Sequence, residues 1–127
     1  MDRAKPLILT KDILVQFNFI RSKKQEYFIC LSLDGGQNLI ARRVVTIGLL
    51  DMALAHPREV FAGPLKDRAA SVIVAHNHPS GDSEPSQADI KTTQQLVAAG
   101  IILGIPLRDH VIITKQEYYS FRQAGLI

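Results

Sequence analysis

Two histidines, His76 and His78, stand one residue apart at the end of the apolar run SVIVAHNH (71–78), and Asp89 follows eleven residues after the second. Strand side chains alternate between faces, so a His-x-His pair at a strand end points to one side of the sheet. Two imidazoles so placed suit a shared metal ion better than they suit each other. A catalytic zinc takes three protein ligands with nitrogen or oxygen donors and keeps a fourth tetrahedral position for water. His76 and His78 offer two nitrogens, and the Asp89 carboxylate offers a third donor if the intervening loop folds back. Pro79, Gly81 and Pro85 are the residues that make such a loop tight.

Asp89 has a second, plainer reading. Ser86-x-x-Asp89 is an N-capping pattern, with the serine as N-cap and the aspartate three positions on, near the positive end of a helix. The two readings are compatible, because one helix start can hold both a cap and a ligand.

The surrounding chain supplies elements to position these groups. SVIVAHNH reads as a buried strand, and Ser86 caps a helix over QADIKTTQQLVAAG with Gly100 as its stop. Upstream, Thr10 caps an amphipathic helix through KDILVQFNFIRSKK, after a loose opening over residues 1–8. EYFICLSLD (26–34) and NLIARRVVTI (38–47) form a hairpin about Asp34-Gly35-Gly36. A small region, GLLDMALA, precedes a helix entered at Pro57 and disturbed by Gly63-Pro64. IILGIPL and DHVIIT read as two further strands before a short closing segment. Strands and helices interleave without regular βαβ spacing, which predicts an α/β sandwich around a mixed sheet.

Bulk properties narrow the function classes. The 127 residues suit one domain, and 46% hydrophobic content is enough for one core. A net charge of +3, from basic residues in small scattered groups, is not that of a dedicated nucleic-acid binder. The single cysteine, Cys30, excludes an internal disulfide framework and any multi-cysteine zinc site, including that of the zinc deaminases. It reads as an inert core thiol among apolar neighbours. The opening lacks a long apolar signal region and no stretch is apolar enough for a membrane span, so a cytoplasmic protein is expected. His56 belongs to the helix entry at Pro57, His110 reads as structural, and Asn77, on the strand face opposite the two histidines, as a supporting group.

The run HNHPSGDSEPSQAD resembles the JAMM (MPN+) metalloprotease signature, His-x-His followed by seven residues and then Ser-x-x-Asp. HPREVF, ASVIVAHNHPSGD and DHVIIT together are similar to the RadC-like branch of that superfamily, and the likeness runs from about Glu26 to the C-terminus. It implies an α/β (α+β) fold, a mixed β-sheet flanked by helices in the MPN/JAB (cytidine deaminase-like) sandwich. It also implies zinc held by His76, His78 and Asp89, with Ser86 helping to stabilise the oxyanion of a tetrahedral intermediate. Members use an upstream glutamate to move the proton of the attacking water. Glu26, at the junction of the first helix and a strand, matches that placement and is preferred. Glu59, in HPREVF, stands nearer in sequence, and the sequence alone leaves both open. RadC proteins commonly carry an N-terminal helix-hairpin-helix region, and the 25 residues before Glu26 are too few to hold one. Residues 1–127 are therefore expected to form a single metalloprotease domain.

The implied activity is zinc-dependent hydrolysis of a peptide or isopeptide bond in an unidentified protein or peptide substrate. The rival is a DNA repair-associated DNA-binding or interaction module with a non-catalytic metal, favoured by the family name and the slight basicity. Against it, structural zinc sites are closed by four protein ligands, and three are in view.

Overall fold

EYFICLSLD concentrates aromatic and β-branched residues, which suit a pleated, buried surface, and it forms β1 (Tyr27–Leu33), buried along nearly its whole length. The computed structural model describes residues 6–48 and 55–127; the first five residues of the expected loose opening, and most of GLLDMALA, lie outside these. β1 turns back into β2 (Leu39–Ile47) as an antiparallel hairpin. Asp34 holds the turn, its Oδ1 accepting from the backbone N–H of Gly36 and of Asn38, each at 2.9 Å. The left-handed residue of the turn is Gln37, at φ 65°, rather than either glycine.

β3 (Ser71–Asn77) lies antiparallel on the other side of β1, β4 (Leu107–Ile113) parallel to β3, and β5 (Tyr118–Ser120) antiparallel to β4. The sheet order is β2-β1-β3-β4-β5. On one face lies α1 (Thr10–Val15) with a following 3-10 turn at Asn18–Ile20; on the other lie α2 (Pro57–Asp67) and α3 (Gln87–Leu103). Ile13, Phe17 and Ile20 pack on Ile29, Leu31, Ile73 and Val111 to fill the first interface. Val60, Phe61 and Leu96 pack on Phe28, Cys30, Val72 and Val74 to fill the second. The mixed sheet between helices is the α+β sandwich expected.

Several local expectations change. α1 begins one residue early, with Leu9 in the cap position and no side-chain cap, and stops at Val15. Its expected continuation breaks into the 3-10 turn, which turns Phe17 and Ile20 fully into the core. Gly63-Pro64 does not interrupt α2, which runs on to Asp67 although Pro64 has no N–H to give the carbonyl four residues back. Gly63 serves a different purpose: a Cβ there would come within 2.5 Å of the Arg43 guanidinium.

Gly100 likewise is not a stop. α3 continues to Leu103 and ends at Gly104, left-handed at φ 71°. A Cβ on Gly100 would lie 2.6 Å from the Ile105 carbonyl, so the glycine lets the returning chain cross closely over the helix. IILGIPL is thus mostly helix and turn, and one strand, β4, stands where two were expected. The capped helix, once started, extends at one hydrogen bond per residue and overrides the β propensity of Ile101 and Ile102.

One irregularity matters for the site. A bulge where Val72 and Ile73 face Leu107 and Asp109 shifts the β3–β4 register by one residue. Leu107 faces the α3 side, yet Val111, four residues on, faces the α1 side. Without the bulge, period-2 alternation would put both on one face. The shift places His110 opposite Val74, on the face where His76 emerges.

Candidate metal centre

His76 ends the apolar face of β3 on the α3 side, and His78 lies just past the strand. The chain then turns sharply: the Gly81 N–H bonds the His78 carbonyl at 3.1 Å, and Gly81 takes φ 88°. The loop returns to Ser86, which starts α3 with a complete capping box. Ser86 Oγ accepts from the Asp89 N–H at 3.0 Å, and Asp89 Oδ2 accepts from the Ser86 N–H at 2.8 Å. The same carboxylate faces the histidines, 3.3 Å from His76 Nε2 and 3.2 Å from His78 Nε2. Cap and candidate ligand are one group.

The two Nε2 atoms lie 3.0 Å apart. Ligands around a tetrahedral zinc, bonded at about 2.0–2.1 Å, stand about 3.3 Å from one another, so these donors have the separations one ion requires. His78 Nδ1 lies 2.8 Å from the Asp82 carbonyl, which can only accept, so Nδ1 carries the hydrogen. In the neutral ring Nε2 is therefore a bare lone pair. Such a lone pair can be met by a hydrogen on His76 Nε2 or by a cation between the three groups, a metal or a proton. The Asp89 contact raises the His78 pKa, against burial. Burial pushes the Asp89 carboxyl up, but its hydrogen bonds with His76 and His78 prevail and hold it far below the usual carboxylate range.

Glu26 approaches from the start of β1, its Oε1 3.9 Å from His76 Nε2. Glu26, His76 and His78 each present a ligand atom within 4.8 Å of the others, a group that can hold a metal. Burial pushes the Glu26 carboxyl above its ordinary pKa, with the nearby histidines pulling the other way. Its backbone is held by Asn77. The Asn77 amide oxygen accepts from the Tyr27 N–H at 2.6 Å, and its nitrogen donates to the Gln25 carbonyl at 2.9 Å. Glu59 is elsewhere: it is exposed in the first turn of α2, beside Arg58, and lines a separate hollow with Cys30 and Arg43. Of the two glutamates, only Glu26 joins the cluster.

A cleft of about 620 Å³ opens over the cluster, lined by Glu26, His78, Ser86 and Asp89, with Lys24 and Ser80 also on its walls. His76, 1% exposed, lies behind the cleft wall, whereas Ser86 is exposed. Cys30 is buried away from this cleft, and burial pushes its thiol up to about 12, as suits an inert core group. His56 caps α2, its Nδ1 accepting from the Arg58 N–H at 3.1 Å.

Two residues join the site that the sequence did not point to. His110 is fully buried behind His76, with Nε2 2.8 Å from His76 Nδ1. Thr93 Oγ1 lies 2.6 Å from His110 Nδ1 and 2.8 Å from the Asp89 carbonyl. Burial holds the His110 pKa well below its ordinary value, so the ring is neutral. Thr93 had a signal, since a residue four beyond Asp89 shares its helix face. His110, read from the sequence as structural, comes to stand behind His76 because of the bulge.

This sheet, crossover helix and strand-end cluster define an α+β domain of the JAB/MPN type. The chain belongs to the RadC-like JAB domain family, whose description matches residues 10–126. It is 50% identical over 108 residues to a UPF0758 protein of Methanospirillum hungatei, covering 85% of this chain and 48% of that protein. A UPF0758 protein of Pelobacter propionicus is 47% identical over 108 residues (85% and 47% covered), and one of Bacillus licheniformis 46% (85% and 48%). The chain thus spans about half the length of the relatives it matches. At the level of the family, a JAB domain supports a JAMM-like hydrolase. No helix among the described residues is long and apolar enough to cross a membrane.

Proposed function

We infer that this chain is a zinc-dependent hydrolase of peptide or isopeptide bonds, acting in the cytoplasm on a protein or peptide substrate. One observation carries the reading: the Nε2 atoms of His76 and His78 and the Asp89 carboxylate converge at 3.0 to 3.3 Å beside an open cleft. Zinc held by these three residues supplies a Lewis acid for the scissile carbonyl and lowers the pKa of water.

Every other role falls to the chain. Glu26 is the general base, and its raised pKa suits a group that takes a proton from water and passes it to the leaving amine. Ser86 Oγ already accepts from the Asp89 N–H, which leaves its own hydrogen free to donate to an oxyanion in the cleft. Asn77 keeps Glu26 in place, and the Asp82 carbonyl keeps the His78 ring turned inward.

Asp89 rather than Glu26 is assigned as the third ligand because it lies closer to His76 Nε2, 3.3 Å against 3.9 Å, and also reaches His78. Elemental analysis of the purified protein tests the reading. About one zinc per chain, consistent with a three-ligand site, and its loss in His76→Ala, His78→Ala and Asp89→Ala, is the expected result. A wild-type protein that stays empty after zinc is supplied overturns it.

A further inference from the structure

His78 owes its orientation to a carbonyl, a group with one possible hydrogen-bonding role. His76 has no such partner. Behind it stands another imidazole, which can donate or accept from either nitrogen according to its tautomer. Which nitrogen of His76 carries the hydrogen therefore depends on what lies further back.

The chain of contacts is His76 Nδ1 to His110 Nε2 at 2.8 Å, His110 Nδ1 to Thr93 Oγ1 at 2.6 Å, and Thr93 Oγ1 to the Asp89 carbonyl at 2.8 Å. Two arrangements of hydrogens can be written along it. If Thr93 donates to His110 Nδ1, then His110 Nε2–H donates to His76 Nδ1. The hydrogen of neutral His76 then sits on Nε2, in the way of a metal. That arrangement also leaves Thr93 Oγ1 facing the Asp89 carbonyl with no hydrogen between two acceptors. If Thr93 donates to the Asp89 carbonyl, its oxygen accepts from His110 Nδ1–H. His110 Nε2 then accepts from His76 Nδ1–H, and His76 Nε2 is bare. Only the second arrangement makes all three hydrogen bonds of the relay, among buried side chains where an unmade bond is costly. The first instead keeps a hydrogen on His76 Nε2 for His78 Nε2 at 3.0 Å or Asp89 Oδ1 at 3.3 Å, whereas the second leaves these three groups to share a cation, a proton or a metal.

We propose that His110 and Thr93 are positioning residues that lock His76 as its Nδ1–H tautomer, with the Asp89 main-chain carbonyl as the fixed end of the relay. Phe121, stacked on the His110 ring with centroids 4.7 Å apart, and Phe28, stacked on His76 at 5.9 Å, hold both rings against rotation. The relay begins on the residue whose side chain is the third ligand. One aspartate thus presents its carboxylate to the metal and, through its carbonyl, sets the lone pair of a histidine ligand. The consequence for zinc rests on the function inferred above, but the tautomer is a property of the zinc-free chain.

Long-range ¹H–¹⁵N correlation spectra of the histidine rings in chelator-treated protein read the tautomer directly, and zinc titration against a competing chelator reads affinity. In the wild type His76 is expected to carry its hydrogen on Nδ1. Thr93→Val keeps the side-chain shape and removes the hydroxyl. His76 should shift toward the Nε2–H form and zinc affinity should fall about 10- to 100-fold, the usual effect of losing a partner behind a ligand. Thr93→Ser should restore both readings. His110→Gln, whose amide oxygen can accept in place of Nε2, should keep the Nδ1–H form, and it serves if the valine variant does not fold. His76 found as Nε2–H in the wild type, or Thr93→Val and Thr93→Ser giving the same tautomer, overturns the relay. A wild type that shows the Nδ1–H form but takes up no zinc leaves the relay standing and overturns the zinc reading instead. Zinc bound equally well by wild type and Thr93→Val, with no change of tautomer, does the reverse.

Discussion

Two places in this molecule set a carboxylate against nitrogen bases, and they are built to opposite ends. On the flank of the sheet, Arg43 meets Asp67 as a two-pronged pair, Nη1 to Oδ2 and Nη2 to Oδ1, the latter at 2.7 Å. Each carboxylate oxygen there faces a guanidinium hydrogen, and the two charges answer each other without a third group. At the end of β3, His76, His78 and Asp89 face one another, with the hydrogen of His78 drawn off to the Asp82 carbonyl and, in the proposed relay, that of His76 drawn off to His110. The first arrangement is complete as it stands, whereas the second needs a cation. Proximity of opposite charges does not distinguish a site from a scaffold; the direction in which the hydrogens point does.

The most severe way to break the contrast is to remove a donor from the second cluster. Asp89→Ala takes away a candidate ligand and half the capping box together, so loss of zinc by more than 100-fold in affinity is expected, with about 1 kcal/mol of stability lost from the cap. Asp89→Asn keeps much of the cap and should lose the metal alone, a split readable by calorimetry beside thermal unfolding. Glu26→Gln is expected to do the converse. It should keep about one zinc per chain while hydrolysis of a screened peptide substrate falls about 10²- to 10⁴-fold, the usual contribution of a general base. If Glu26→Gln empties the site and Asp89→Asn does not, the two carboxylates have exchanged roles.

The front of this cluster was legible in the sequence and its back was not. His-x-His on a strand and Ser-x-x-Asp at a helix start are local patterns, and the geometry of strands and helices converts them to positions. The seven residues between His78 and Ser86 had only to close a loop, and Gly81 does so. His110 was out of reach because its facing depends on a register shift between β3 and β4, a property of two paired strands. The same limit explains Gly100 and Gly63. Both read as breaks along the chain, yet each stands at a close approach, the Ile105 carbonyl turning back five residues on and the Arg43 side chain crossing over from β2. Alternation and capping are written in consecutive residues; close approach is not.

Asn77 lies between the two kinds of region, a satisfied buried amide whose purpose is to place an unsatisfied group. Asn77→Ala leaves the Tyr27 N–H and the Gln25 carbonyl without these partners, and about 1–3 kcal/mol of stability should be lost in denaturant titration. Because Glu26 sits between those two residues, hydrolysis should fall more than zinc affinity does. An equal fall in both would mean that the amide supports the whole cluster rather than the glutamate alone.

The smallest expected effect belongs to the completed pair. Arg43 is 37% and Asp67 12% exposed, so solvent and salt screen the interaction, and Asp67→Asn should cost only about 1 kcal/mol, the upper end for pairs near the surface. Its pH dependence identifies it. The hydrogen bond from Arg43 holds the Asp67 carboxyl below its ordinary pKa, against a smaller opposing effect of burial. The folded value therefore lies beneath the unfolded one of about 3.9. The stabilisation is complete above the unfolded value and fades as pH falls through the folded one. Wild type and Asp67→Asn should accordingly differ at neutral pH and converge in acid, and 1 M salt should shrink the neutral difference. A gap that persists in acid would assign the cost to packing around Arg43 and Gly63 rather than to charge.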